Sequence, residues 1–212
     1  PRWKHPVFLK MTPLSDRPEH TILLGMSEIA SLKNQLLIAM PALQDPNFAR
    51  TVTYICEHGE HGAMGIVLNR PTNLRLGDIL QHMEIKDGLE LVADQMVFLG
   101  GPVEEERGFV LHTHGDPWDS TLAVNDDISI TTSRDILQAM ARGGGPRQTL
   151  VALGYAGWGS GQLERELQEN AWLSGPADQS ILFELPPEQR WEAAARLLGV
   201  DVNLLSSEAG HA

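Results

Sequence analysis

The sequence predicts an α+β fold built on a mixed β-sheet. Val, Ile, Thr and Tyr enrich residues 36–40, 51–57 and 63–69, which indicates successive β-strands early in the chain. Helical patterns first appear after this strand cluster and then intervene irregularly between further strands. This order is neither regular βαβ alternation nor an all-β pattern, so an α+β architecture or a mixed sheet follows.

The first half of the chain continues the strand pattern after a turn at residues 58–62. Thr72 or Asn73 is expected to cap a helix, because hydroxyl and amide side chains accept hydrogen bonds from free N–H groups at a helix start. Its apolar positions are Leu76, Ile79, Leu80 and Met83. Further strands are expected at residues 95–99, 108–113 and 127–131, and the last alternates polar and apolar residues, which predicts a half-buried strand.

In the second half, Ser133 is expected to cap a helix that ends at Arg142, before the Gly-Gly-Gly-Pro run at 143–146. An apolar run at 150–155 predicts a strand buried on both faces, and a glycine-rich turn and an amphipathic helix follow it. A strand at 181–185 and a helix that begins at Pro187 complete the prediction.

The glycine-rich turn contains Gly157, Trp158, Gly159 and Gly161. A strand, a glycine turn and a helix often hold an anion, because free backbone N–H groups crowd the helix start. The dinucleotide pattern G-x-G-x-x-G fails here at Gln162, although Glu184 stands near the spacing of a ribose-binding acid.

The residues around this turn favour a structural role over an anion or nucleotide site. Glu164 and Glu166 would repel a phosphate at the helix start, and no Gly-Lys-Ser/Thr motif follows the glycines. Glycines would let Trp158 fold under the helix. Ser160 also lacks the glycine before it that a nucleophile elbow requires.

The composition argues against direct nucleic-acid binding. The chain has 16 Lys and Arg residues against 28 Asp and Glu residues, a formal net charge of −12. An acidic surface repels phosphate backbones. Cys56 is the single cysteine, so no internal disulfide can form, and no stretch approaches the roughly 20 apolar residues that span a bilayer. A cytoplasmic location is therefore expected.

Two histidine clusters are candidate sites. His58 and His61 lie in one turn beside glutamates, and His112 and His114 lie together further on. Together they could ligate a metal, but no H-E-x-x-H motif is present. We expect no metal or cofactor, and we expect Glu57 and His58 to fix a turn by hydrogen bonding with a carboxylate.

Cys56 and two arginines complete the candidates. Cys56 alternates with Val52 and Tyr54 on one apolar strand face, which predicts a core residue rather than a nucleophile. Arg70 and Arg107 follow predicted strands beside proline or glycine turns. They either form an anion pocket together with His58 and the glycine turn, or each pairs with a local carboxylate; the second interpretation is favoured.

Motifs along most of the chain resemble those of the YqgE/AlgH family. They include LLIAMP at 36–41, TVTYICEH at 51–58, GAMGIVLNRP at 62–71, GGPV at 100–103, RGFVLH at 107–112 and the glycine-rich segment at 149–173. The resemblance implies a bifurcated sheet curled into a pseudo-barrel with helices packed outside. Some members carry a regulatory label linked to alginate production. His58 and His112 match family motifs, whereas His61 and His114 do not, which further disfavours a metal site.

The resemblance divides the chain into a single domain at 33–212 and an extension at 1–32 outside the match. Prolines in the extension predict poor regular structure. One hypothesis is that residues 1–25 are an over-long start assignment, with Met26 as the natural start, or a lineage-specific arm; the favoured alternative is a mobile tail without function. The N-terminal mass would separate these cases.

The sequence favours a non-enzymatic regulatory protein that acts through a small anionic ligand or a protein partner. The alternative is a hydrolase or phosphate-handling enzyme. Its site would comprise Glu57, His58, Arg70, Arg107 and His112. Convergence of these side chains in one cleft would support the enzyme.

Overall fold

The computed structural model describes residues 31–85 and 87–202. Its strands are β1 (Gln35–Ala39), β2 (Val52–Gly59), β3 (Gly62–Val67), β4 (Pro71–Arg75), β5 (Met96–Leu99), β6 (Val103–Thr113), β7 (Thr121–Ala123), β8 (Ile128–Thr131), β9 (Thr149–Gly159) and β10 (Trp172–Pro176). Its α-helices are α1 (Leu76–His82), α2 (Arg134–Ala141), α3 (Gln162–Gln168) and α4 (Pro187–Leu197). No helix in these ranges is long and apolar enough to cross a membrane.

The strands form one forked sheet that is organised by β9. The main order is β10-β1-β2-β3-β9-β6-β8-β7, and β4 joins through β5. β9 pairs with β6 along one edge and divides its other edge between two strands. Its first half pairs in parallel with β5, and its last residues pair antiparallel with β3. The sheet is therefore mixed and bifurcated, as the family resemblance implied.

Glycines make the close packing at this fork possible. Gly101 has φ +153°, and a Cβ added there would lie 2.2 Å from the carbonyl carbon of Tyr155. Gly154 lies in the left-handed region at φ +71°, which favours glycine. A side chain there would clash, because an added Cβ would lie 2.5 Å from the Gly101 carbonyl oxygen. The Gly100 N–H donates to the Leu153 carbonyl, and the Gly100 carbonyl accepts from Val67. These bonds join β3, β5 and β9 where the sheet divides.

The sheet curls so that its far end approaches β1. Lys33 Nζ donates to the Ala123 carbonyl at 3.0 Å, and Asn125 Nδ2 donates to Asn34 Oδ1 at 2.8 Å. One sheet face, here called the inner face, carries a continuous apolar cluster. It contains Leu36, Tyr54, Ile66, Phe98, Phe109, Ile130 and Leu150. The predicted α+β fold with a curled, bifurcated sheet is confirmed.

Helices cover both faces of the sheet. α1 and α2 pack on the outer face over Val97, Val110 and Val151. α3 covers the outer face near the other end, against Trp158 and Trp172. α4 lies on the inner face, where Trp191 and Ala194 join the continuous cluster. The Trp191 Nε1–H also donates to the Ala39 carbonyl at 2.9 Å, which fixes α4 to β1.

Several local predictions were wrong. Residues 71–75 form β4 rather than a helix cap, and α1 begins after Arg75, whose backbone N–H donates to Asp78 Oδ2 at 2.8 Å. β8 is fully buried rather than half-buried, and its Ile128 and Ile130 join the cluster on the inner face. Residues 181–185 do not form a strand: Ser180–Glu184 is a π-helical turn that leads into α4. Glu184, which stands near the spacing of a ribose-binding acid, accepts a hydrogen bond from Gln148 at 2.8 Å.

Other boundaries differ because sheet partners extend or create strands. β6 and β9 are longer than their apolar runs, and β7 and β10 were not predicted. Ser133 does stand at the N-terminus of α2, but its hydroxyl donates to Asp135 Oδ1 rather than capping the helix. Residues 1–30, including the predicted start at Met26, lie outside the described residues.

Candidate functional site

The glycine-rich segment is part of the sheet rather than an open turn. β9 continues through Gly159, and residues 156–159 pair with β3. The Gly159 N–H donates to Gln162 Oε1 at 3.0 Å, so a side chain of the same segment already occupies this donor. Gly161 adopts φ +67° immediately before α3. Glycine is needed here for the backbone turn, as the structural interpretation expected.

Trp158 folds under α3, as predicted, and lies in an aromatic cluster. Trp158 and Trp172 are 6% and 3% exposed and meet edge to face with ring centroids 6.0 Å apart. Phe48 packs against both rings. Glu166 Oε2 accepts from both indole N–H groups, at 3.0 Å from Trp158 and 2.8 Å from Trp172. One carboxylate thus holds two strands and a helix together.

His58 forms a buried pair with Glu164. Its Nε2 lies 2.9 Å from Glu164 Oε1, and the exposed fractions of the two side chains are 4% and 18%. The Leu32 N–H donates to Nδ1 at 3.2 Å, so Nε2 carries the proton that is donated to the carboxylate. The prediction that His58 hydrogen-bonds with a carboxylate is confirmed. Within the described residues, Glu57 makes no side-chain hydrogen bond.

Arg70 and Arg107 lie in separate local contacts. Arg70 Nη2 donates to the carbonyls of Pro46 and Ala49 at 3.3 and 2.7 Å, which fixes the loop before β2. Arg70 therefore binds backbone rather than the carboxylate expected of it. Arg107 pairs with Glu104 at 2.9 Å, and its guanidinium lies 5.4 Å from the Phe109 ring centroid.

His112 is 1% exposed within β6. Its Nδ1 donates to the Thr113 carbonyl and its Nε2 accepts from the Thr131 hydroxyl, both at 2.8 Å. Burial lowers the pKa of this imidazole, so it stays neutral. Cys56 is fully buried, and burial raises the pKa of its thiol, as expected for a core residue. The described residues contain no cluster of histidine, cysteine or carboxylates that could hold a metal ion.

The residues of the predicted enzyme site do not share a contact. Within the described chain, no hydrogen bond or ion pair joins any two members of that set. His58 belongs with the glycine-rich segment through Glu164, and Glu57 precedes it in β2. Arg107 and His112 both lie in β6, and Arg70 lies just before β4. Ligand binding by the predicted residues stays a prediction, and each charged member other than Glu57 already has a partner.

A different site lies between the sheet and the segment that leads into α4. A cavity of about 360 Å³ opens where β4 ends and β5 and β9 begin. Apolar side chains and charged or polar side chains both line it. The lining residues are Arg75, Asp94, Gln95, Met96, Phe98, Thr149, Leu150, Phe183 and Arg190. Phe183 belongs to the π-helical turn, a rare element that is frequent at functional sites.

Arg190 is the central cation of this cavity. It lies in the first turn of α4 and is only 4% exposed. Its Nε donates to the Leu185 carbonyl at 2.9 Å, and Nη1 donates to the Leu68 carbonyl at 2.7 Å. The guanidinium lies 5.3 Å from the Phe98 ring centroid. Its contacts therefore consist of neutral carbonyls and one aromatic face.

The charge of Arg190 has no buried counter-ion. Among the described residues, no carboxylate forms a salt bridge with it. Burial lowers the pKa of Arg190 to about 10, and nearby Glu188 opposes this only in part. The guanidinium is still charged at pH 7. A buried cation is normally paired, because desolvation of a lone charge is costly. The unpaired charge beside a cavity therefore suits an anionic ligand.

Arg190 was not predicted as a site residue from the sequence, although one signal was present. The buried residues of α4 are Pro187, Arg190, Trp191, Ala194 and Ala195, which recur at the spacing of a core-facing stripe. An arginine within such a stripe must be either paired or functional. Gln95, Phe183 and the other wall residues carried no comparable signal.

Comparisons with known proteins agree with this fold. A family model described as AlgH-like matches residues 36–203. The chain belongs to the AlgH-like family. A relative from Nitrosococcus oceani, named only as a UPF0301 protein, is 58% identical over 187 residues, which cover 88% of this chain and 100% of the relative. A second relative, from Thioalkalivibrio sulfidiphilus, is also 58% identical over 187 residues and has the same coverage.

Solved structures show the same architecture. The solution structure of the AlgH protein from Pseudomonas aeruginosa is 49% identical to this AlgH-like chain, with a TM-score of 0.71. The match covers 89% of this chain and 100% of that protein. A crystal structure from Corynebacterium diphtheriae is 20% identical, has a TM-score of 0.64, and supports the fold alone. The family resemblance drawn from the motifs is thus confirmed.

Proposed function

We propose that this AlgH-like protein is a non-enzymatic regulator that binds a small anionic ligand in the Arg190 cavity. One observation carries the proposal: a guanidinium that is 4% exposed lines a cavity and has no carboxylate partner among the described residues. An anion would neutralise this charge in a site of low dielectric, where the attraction is stronger than in water. Arg75 at the rim adds a second positive charge, and Asp94 opposes it.

The chemistry of the cavity supports binding rather than turnover. Among the described residues that line it, the groups able to move a proton at neutral pH are limited to Asp94, which is exposed. The Thr149 hydroxyl accepts from Gln95 at 2.9 Å and has no neighbouring base that would make it a nucleophile. Histidine and cysteine are absent from these walls. We therefore assign the cavity a recognition role.

A regulatory role requires that ligand binding in the Arg190 cavity changes a surface that a protein partner binds. Phe183 in the cavity wall precedes Glu184, which accepts a hydrogen bond from Gln148 on the surface. A ligand that moves the π-helical turn would change this link. The proposed location is the cytoplasm, which the buried, unpaired Cys56 supports. Direct binding to nucleic acid is disfavoured by the net charge of −12.

Native mass spectrometry of the full chain, purified gently from its own host, tests the ligand directly. We expect a fraction of the protein to retain a small acidic compound that is released by denaturation. The Arg190→Lys variant should lose it, because lysine cannot retain both carbonyl contacts and also offer a fork to an anion. Arg196→Lys on the exposed side of α4 is the matched control and should retain it.

Two outcomes would overturn the ligand proposal. One is a bare protein whose melting temperature does not change with acetate, phosphate or aromatic carboxylates. The other is a retained compound that persists in the folded Arg190→Lys variant. In the first case, co-purification from lysate would test the protein-partner alternative. In the second case, the compound binds at another site.

A further inference from the structure

The size of the Arg190 cavity limits its occupant. About 360 Å³ corresponds to roughly a dozen water volumes, at about 30 Å³ for each water. A ligand of roughly a dozen non-hydrogen atoms would fill this space. A single ring system with one small substituent would fill this space, whereas a dinucleotide or a peptide of several residues would extend beyond it.

The walls favour a flat apolar body for this ligand. Phe98 and Leu150 are buried, and both line the cavity. Phe183 is half-buried, and Met96 is 37% exposed at the rim. Aromatic and thioether side chains attract ring faces and edges as well as removing apolar surface from water. Phe183 and Met96 are the more accessible of these side chains, so a ligand ring that packs against them would remove apolar surface from water.

The donors at Arg190 favour a single negative charge. Of the five N–H groups of a guanidinium, Arg190 uses two for the Leu185 and Leu68 carbonyls, which leaves three. One of these is on Nη1 and two are on Nη2, so the end of the guanidinium can hold both oxygens of a carboxylate. A phosphate would bring a charge of about −1.5 to −2 beside apolar walls. One buried cation matches the carboxylate better.

A second polar contact is available in the lining of the cavity. Gln95 Nε2 donates to Thr149 Oγ1 at 2.9 Å, which fixes the amide so that Gln95 Oε1 is its remaining acceptor. The Thr149 hydroxyl proton has no acceptor among the described residues, so that hydroxyl is a donor. A ring N–H or a ring hydroxyl could bind here. Specificity would then come from the distance between the carboxylate and this polar group.

We infer that the site binds monoanionic aromatic carboxylates, with the carboxylate on Arg190 and the ring against Phe183 and Met96. This inference rests on the proposed anion site and names its ligand class. Naphthoate is a suitable probe, because it joins one carboxylate to a flat body of about the expected size. Acetate carries the charge alone, naphthylmethanol carries the ring alone, and inorganic phosphate carries a larger charge.

The test is a titration of the full chain with each probe at pH 7, followed by amide chemical shifts and by calorimetry. We expect naphthoate to bind at least about tenfold more tightly than acetate, phosphate or naphthylmethanol, with shifts at residues 95–98 and 149–150. Arg190→Met should weaken naphthoate binding about 10- to 100-fold, as expected for loss of a charged hydrogen bond. Arg196→Met on the same helix should not change it.

A second variant keeps the test valid if Arg190→Met fails to fold. Phe183→Ala removes an apolar contact proposed for the ring without touching the arginine, and it should weaken naphthoate binding but leave acetate binding unchanged. Equal binding of naphthoate and acetate at these residues would overturn the aromatic ligand and leave the anion site standing. Tighter binding of naphthylmethanol than of naphthoate, or no shifts with any probe, would overturn the anion site itself.

Discussion

Replacing Glu166 by alanine removes the shared acceptor of two buried indole groups. Trp158 and Trp172 donate to the same Oε2 and are 6% and 3% exposed. An unsatisfied buried donor costs about 1–3 kcal/mol, so two donors cost about 2–6 kcal/mol. Alanine recovers up to about 0.5 kcal/mol through its higher helix propensity. We therefore expect Glu166→Ala to lower the free energy of unfolding by about 2–5 kcal/mol.

Urea unfolding followed by far-ultraviolet circular dichroism measures this loss, and tryptophan emission of the folded variant reports the local change. Glu169→Ala is the matched control, because Glu169 is exposed at the end of the same helix. The control should change stability by no more than about 0.5 kcal/mol. If Glu166→Ala and Glu169→Ala cost the same, Glu166 does not hold the two indoles, and our reasoning about this cluster is wrong.

The fork, the buried histidine and the loop-binding arginine give further expectations. Gly101→Ala places a Cβ 2.2 Å from backbone and should cost more than about 4 kcal/mol, whereas Gly59→Ala meets nothing within 4 Å and should cost under about 0.5 kcal/mol in urea unfolding. His112 has a pKa below 6.5, so as pH falls below 6.5 the unfolded state binds the proton first. Stability should therefore decline from pH 7 to pH 5 more steeply than in His112→Gln, and parallel urea-midpoint profiles would contradict this assignment. Arg70→Ala loses two carbonyl contacts and should cost about 1–3 kcal/mol. Calorimetry should show that naphthoate binding at Arg190 is unchanged in this variant. Loss of naphthoate binding would indicate that Arg70 is part of a ligand pocket.

Strand bounds were predicted well where the hydrophobic pattern of the strand itself determines them. They were predicted less well where pairing with a neighbouring strand determines them. β1, β2 and β3 lie within two residues of their predicted bounds. β9 continues past its apolar run because β3 supplies hydrogen-bond partners for residues 156–159. Glycine-rich sequence normally indicates a turn, and a single sequence does not reveal the neighbouring strand.

Short apolar runs were ambiguous for a related reason. Residues 181–185 have the composition of a buried strand, but they form a π-helical turn that buries Ile181 and Leu182 against the inner face. Periodicity cannot separate a short strand from a buried helical turn. Beside this turn, Arg190 escaped notice because the helical pattern was assigned from its apolar members alone. A hydrogen bond between His58 and a carboxylate was predicted, but the identity of the carboxylate was not. The partner, Glu164, is 106 positions away in the chain.

The central position of β9 also determines when the fold can form during synthesis. β3, β5 and β6 all pair with residues 149–159. These three strands are made before that segment, so they have no common neighbour until it is translated. At about 5–20 residues per second, the interval between the end of β3 and the end of β9 lasts roughly 5–20 s. During this interval the apolar inner faces of the earlier strands stay open to other chains. A pause in translation between residues 67 and 159 would therefore lengthen the time in which these strands can aggregate.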